Sequence, residues 1–144
     1  MTLPLTFEPV GTLHVKIAPP LMVGAIQGRT RACVPITGGT LTSDRLGGVI
    51  LPGGYDWAWL SEDGTAEVDA RYLLELDDGS IATVINRGRC WPADETGQTF
   101  FGRSVPVFET GSAHYAWLNT KSFMCTFESR MTDGFVTLEL FMTG

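Results

Sequence analysis

The stretch that decides the fold is 53–90. It reads Gly53-Gly54-Tyr55-Asp56-Trp57-Ala58-Trp59-Leu60, then Ser61-Glu62-Asp63-Gly64, then Val68-Asp69-Ala70-Arg71-Tyr72-Leu73-Leu74-Glu75-Leu76, then Asp78-Gly79 and Ile81 onward to Cys90. Residues alternate with a period of two, and glycine-containing turns bound each run. That pattern predicts three antiparallel strands side by side.

Register decides which side chains meet. A two-residue Asp78-Gly79 turn sets Asp77 opposite Ser80 and, counting back, pairs Glu75 with Ala82, Leu73 with Val84 and Arg71 with Asn86. A four-residue turn over 61–64 sets Leu60 opposite Thr65 and Asp56 opposite Asp69, one diagonal step from Arg71. One face then carries Asp56, Asp69, Arg71, Glu75 and Asn86, with the small residues Gly54, Ala58, Ala82 and Gly88 between them. The other carries Tyr55, Trp57, Trp59, Val68, Tyr72, Leu74, Leu76, Ile81 and Ile85. A one-residue slip would dissolve the Asp56–Asp69 pair.

Working outward, 7–17 alternates Leu13, Val15 and Ile17 against Thr12, His14 and Lys16, a strand ended by Pro19-Pro20. Residues 23–34 form a second run interrupted by Gly24 and Gly28, where the sheet is expected to bend, with Arg29 and Arg31 on one face. The pairs Gly38-Gly39, Gly47-Gly48 and Gly53-Gly54 punctuate two short strands, 40–41 and 49–51. They do not match a phosphate-binding signature. Downstream, 91–97 is polar and turn-like with room for a short helix, and 99–111 is extended and aromatic. Residues 114–119 alternate like a strand, and 123–130 with 135–142 form a closing hairpin. Nowhere does a 3.6-residue apolar period last three turns. The prediction is an all-β fold, a single antiparallel β-barrel over 1–144 with about eight to ten short strands and at most one short helix.

With 144 residues, the chain is long enough for one domain with a sizeable core. Hydrophobic residues make up 44%, the net charge is −6 and the pI is near 4.7, so the chain lacks the basic footprint of a nucleic-acid binder. Eight of the ten basic residues are arginine, suited to planar pairing with acidic or carbonyl-bearing ligands. Cys33, Cys90 and Cys125 are odd in number and widely spaced, which fits neither a disulfide framework nor a metal-binding pair. With neither a signal-peptide pattern nor an apolar run of membrane-spanning length, the expected location is the cytoplasm, with no membrane partner.

The stretches Gly38-Gly39-Thr40, Leu51-Pro52-Gly53-Gly54-Tyr55-Asp56-Trp57, Asp63-Gly64, Asp69-Ala70-Arg71-Tyr72, Asp78-Gly79 and Phe108-Glu109-Thr110-Gly111, followed by Tyr115-Ala116-Trp117-Leu118-Asn119, resemble a known family. It is the one catalogued as domain of unknown function number 3237, and the resemblance covers nearly the whole chain. It implies a compact antiparallel β-barrel and transfers no activity. Where that family usually reads Gly-Ala-Asp-Trp, this chain has Gly54-Tyr55-Asp56-Trp57, and a tyrosine beside Asp56 would narrow a pocket. Near where an Arg-Thr pair is common it has Gly102-Arg103-Ser104.

Asp56, Asp69 and Arg71 are the candidate catalytic residues. Two neighbouring carboxylates and a guanidinium in a low-dielectric lumen would raise one carboxyl pKa and leave the other ionised, an arrangement suited to general acid-base work. Arg71 could clamp a substrate carboxylate or polarise a carbonyl. The competing reading makes this the solvated face, with Trp57, Trp59 and Tyr72 filling the inside. Candidate ligand contacts are Trp57, Tyr72, Asn86, Glu109, Trp117, Asn119 and Arg29, against the ordinary role of aromatics as core. His14 and His114 stand alone, so no metal site is expected, and nothing calls for a cofactor. Three functions fit. The first is a cofactor-independent isomerase, cyclase or lyase (dehydratase type) acting on a small, largely hydrophobic carbonyl or phenolic molecule. The second is a passive small-molecule-binding barrel, and the third an interaction module in a homo-oligomer.

Overall fold

The computed structural model describes residues 1–130 and 132–143. Ten strands follow in chain order: β1 (Glu8–Ile17), β2 (Leu21–Ile26), β3 (Arg29–Thr42), β4 (Gly48–Ile50), β5 (Gly54–Leu60), β6 (Ala66–Leu76), β7 (Ile81–Pro92), β8 (Thr99–Thr110), β9 (Ser122–Arg130) and β10 (Phe135–Thr143). All pairings are antiparallel. β1 hydrogen-bonds to both β10 and β3, which closes the sheet on itself. The wall runs β1–β10–β9–β8–β7–β6, and β4 and β5 lie end to end between β6 and β3. Closure leaves eight positions round the barrel, while β2 pairs only with β3. Full closure removes nearly all open strand edges. No helix among the described residues is long and apolar enough to cross a membrane.

The barrel interior is the core. Leu13, Leu74, Val84, Leu140 and Cys125 are fully buried there, and Phe108 meets Phe123 edge-on at 5.0 Å. β8 displays the alternation most cleanly: Gly102, Ser104, Pro106 and Phe108 are buried, and Arg103, Val105, Val107 and Glu109 are exposed.

Both central hairpins differ by one residue from the expected register. Ser61 N–H donates to Thr65 O and Gly64 N–H to Ser61 O, so the first loop is Glu62-Asp63-Gly64. Leu76 N–H donates to Ser80 O and Gly79 N–H to Leu76 O, so the second is Asp77-Asp78-Gly79. Each places a left-handed glycine third, Gly64 at φ +89° and Gly79 at φ +85°. Each aspartate caps the N–H two residues on, Thr65 or Ser80. Three-residue loops of this kind shift the ladder by one. Asp56 therefore faces Ala70 rather than Asp69, Arg71 faces Ile85, and Asn86 faces Ala70.

Other expectations change for local reasons. The run 23–34 is two strands reversing at Gln27-Gly28, both with positive φ. Gly38-Gly39 is no turn but a bulged corner within the long strand β3. A Cβ on Gly39 would lie 2.0 Å from His14 O, so the corner admits only glycine. The segment 114–119 is a 3₁₀ turn (Ala116–Asn119) instead of a strand. Ser112 Oγ accepts Tyr115 N–H, and the Asn119 side chain folds back onto both Thr110 N–H and Thr110 O. Tyr115 Oη donates to Asp77 and Ser112 Oγ to Asp78, so this turn plugs one end of the barrel against the β6–β7 loop. β7 continues to Pro92, and 93–98 holds no helix.

Candidate functional site

The corrected register divides the expected catalytic group between two environments. Asp56 shares the inner face with Ala58, Ala70, Tyr72 and Asn86. Asp69 and Arg71 alternate out of that face. Outside, Asp69 meets Arg71 Nε at 3.3 Å and Arg87 Nε at 3.5 Å. Apart from the exposed Glu8 at the start of β1, Asp56 is the one charged side chain on the inner face of the barrel strands among the described residues.

Asp56 sits where the β5–β6 ladder lapses, since paired residues run from Asp56–Ala70 directly to Trp59–Glu67. Its Oδ1 accepts the Asp69 N–H at 2.8 Å across that gap. Burial pushes its carboxyl up to about 6; the Asp69 N–H opposes the rise and the Asp69 carboxylate adds to it. Such a group changes protonation near neutral pH. Its inner-face neighbours Val34, Val68, Ala70 and Gly88 keep partial solvent contact, unlike the sealed core beyond.

On the same inner face Tyr72 Oη and Asn86 Oδ1 are buried without a hydrogen-bond partner, and Ser104 Oγ has only the weakly bonding Cys125 thiol beside it. Asn86 lies between Ala70 and Pro106, and Ser104 between Gly88 and Cys125. Buried polar atoms usually find partners, and each orphan costs roughly 1–3 kcal/mol. Burial raises the Tyr72 phenol, so it stays neutral. Burial also pushes Cys125 up to about 12, partly opposed by the Ser104 hydroxyl, and Cys90 up to about 11, with Asp56 nearby adding to the rise. Both thiols are therefore poor nucleophiles at neutral pH. Ser104 escaped the sequence reading; the alternation of β8, with a lone hydroxyl among Gly102, Pro106 and Phe108, was its signal.

The remaining candidates lie elsewhere. Trp57 is outside and 45% exposed. Arg29 and Arg31 stack on the Trp59 ring at 4.2 and 3.8 Å, and Arg29 reaches Glu67 at 3.6 Å. Glu109 is exposed and accepts the Thr83 hydroxyl at 2.8 Å. Together with Asn119 it lines an open outer groove of about 650 Å³. Trp117 packs on the core near Phe123. Among the described residues, no three His, Cys, Asp or Glu side chains gather as metal ligands.

Fold and site define a small closed antiparallel barrel whose inner face carries a half-buried acid, Asp56, and the neutral polar groups of Tyr72, Asn86 and Ser104. The chain belongs to the family described as protein of unknown function (DUF3237), whose model matches residues 5–142. A UPF0311 protein of Clostridium acetobutylicum is 31% identical over 134 residues, covering 84% of each chain. The solved structure of a β-barrel-like protein from Acinetobacter baumannii superposes with a TM-score of 0.90 at 29% identity, covering 100% of this chain and 99% of that one. An enzyme from Penicillium herquei shares the fold at TM-score 0.78 and 21% identity, covering 100% and 98%.

Proposed function

We propose that the barrel is a cofactor-independent acid-base catalyst of the isomerase, cyclase or lyase type, acting on a small, largely hydrophobic carbonyl or phenolic molecule bound in the lumen. Asp56 moves the proton. Asn86 Oδ1 accepts from a hydroxyl of the substrate, and the neutral Tyr72 phenol donates to the oxygen on which negative charge develops. The observation that carries this reading is one desolvated carboxyl, pushed up to about 6 by burial, on the inner face that also carries the unpartnered Tyr72 Oη and Asn86 Oδ1. Asp69 and Arg71 hold the outer end of the Asp56 contact and have no part in the chemistry. The fungal relative described as an enzyme supports the capacity of such a barrel for catalysis and nothing finer. Three buried free thiols fit a reducing compartment, the cytoplasm.

The second reading, a passive binding barrel, draws on the Asp56–Asp69 contact, which gives the carboxylate a structural task of its own. One experiment separates the two. Enolisable cyclic hydroxyketones and phenols are incubated with wild type and with Asp56→Asn and followed by NMR, while the Asp56 carboxyl is titrated. Turnover lost in the variant, with a wild-type carboxyl titrating near 6, supports catalysis. Binding without turnover in both proteins supports the carrier, and an ordinary acidic titration removes Asp56 from either mechanism.

A further inference from the structure

We infer that the lumen selects uncharged ligands that donate hydrogen bonds and turns away anions. This rests on the lumen being the ligand site. It does not require that the site be catalytic.

Arg29, Arg31, Arg71, Arg87, Arg89 and Arg103 all lie on β3, β6, β7 and β8 at positions that alternate out of the barrel, so the wall presents its positive charge outside. No Lys or Arg among the described residues faces inward on the barrel strands. An anion entering would meet Asp56 and no cation. At roughly 5 Å and an effective dielectric of about 20, two like charges disfavour each other on the order of a hundredfold. The arginine-rich composition therefore does not prepare the lumen for carboxylates or phosphates.

Asn86 Oδ1 only accepts, and so does the ionised Asp56 carboxylate. Tyr72 and Ser104 hydroxyls do either. A bound molecule must therefore bring N–H or O–H groups to satisfy Asn86, and one that lacks them leaves a buried acceptor unpaired. Sites built to bond a substrate hydroxyl or amine reject analogues without it strongly.

Benzenesulfonamide and benzenesulfonate test this, because they match in shape, and the sulfonate stays charged at every pH used and donates nothing. Dissociation constants come from NMR titration of the full chain, with shifts at Ala70, Asn86 and Ser104 locating the ligand. Near pH 8 the sulfonamide is expected to bind at least tenfold more tightly, on the order set by the like-charge repulsion. The gap should shrink near pH 5, where Asp56 is protonated, and in Asp56→Asn near pH 8. Asn86→Leu should weaken the sulfonamide and spare the sulfonate. Equal binding of both probes, a gap independent of pH, or binding of neither overturns the inference. Should Asp56→Asn not fold, the wild-type pH series decides alone. Turnover retained in Asp56→Asn, with the binding gap behaving as expected, removes the catalytic reading and leaves this one standing.

Discussion

The Asp56 carboxylate accepts the backbone N–H of Asp69 at 2.8 Å, while the Asp69 side chain leaves by the opposite face to meet Arg71 and Arg87. Two acids held together by one hydrogen bond thus sit on opposite sides of the wall. The inner one is desolvated, which raises its carboxyl, and the outer one is ion-paired.

That relationship fixes a pH dependence. The Asp56 carboxyl moves from 3.8 to about 6 on folding, so the native state holds its proton more tightly than the unfolded chain. Its contribution to stability is greatest below about pH 4 and is lost as pH rises through about 6. The full shift corresponds to about 3 kcal/mol, which residual solvent contact lowers to roughly 1–2 kcal/mol. Asp56→Asn keeps an oxygen for the Asp69 N–H and carries no charge. It should be more stable than wild type above about pH 7 and lose that advantage near pH 4. Urea midpoints across this range check it, and a variant less stable at neutral pH would falsify the burial argument.

Asp78 runs the other way. The Ser112 and Ser80 hydroxyls and the Ser80 N–H pull its carboxyl down to about 2. Its stabilisation is present above the ordinary value of 3.8 and disappears as pH falls through about 2. Asp78→Asn should therefore be destabilised at neutral pH, with the deficit closing in acid. Thermal melts of both proteins from neutral pH down to about 2 read the difference directly; a constant deficit would mean that the loop needs the aspartate for shape alone.

Why the sequence placed some residues correctly and others not follows from these loops. Period-two alternation and Asp-Gly turns made the barrel and its central strands legible. Both loops have three residues, one fewer than expected at 61–64 and one more than expected at Asp78-Gly79, because Asp63 and Asp78 cap Thr65 and Ser80 from within the loop. One slip turned β6 inside out relative to β5, so Asp69 and Arg71 went outside and Tyr72 came in. The second slip reversed the first, which is why Asp56 and Asn86 still share a face. The plug at 112–119 was illegible because side-chain bonds from Ser112 and Asn119 override the alternation there.

On the outer face, Asp69→Asn and Arg71→Gln should matter little. Arg71 and Arg87 are well exposed, at 51% and 63% of side-chain surface, and surface ion pairs contribute about 0–1 kcal/mol. Each substitution is expected to change unfolding free energy by less than about 1 kcal/mol and to leave ligand dissociation constants within about twofold. A tenfold loss of binding in Arg71→Gln, measured by the same NMR titration, would return the guanidinium to the site.

Gly88 gives the sharpest structural test. A Cβ there would stand 2.1 Å from Arg103 O and 2.6 Å from both Cα and Cβ of Ser104. These are neighbouring-strand atoms, chiefly backbone, so no side-chain rotation relieves the clash, and β7 and β8 must part. The parting falls beside Asn86 and Ser104, two of the buried polar side chains of the inner face. Gly88→Ala is expected to cost at least 2–4 kcal/mol, roughly the range of severe overpacking, and to shift the inner-face resonances even where folding survives. Gly111→Ala is the control: its Cβ would meet nothing within 4 Å, and its cost should stay within about 0.5 kcal/mol. Chemical denaturation of the two variants decides, and equal stability would show that the β7–β8 contact yields more easily than its geometry implies.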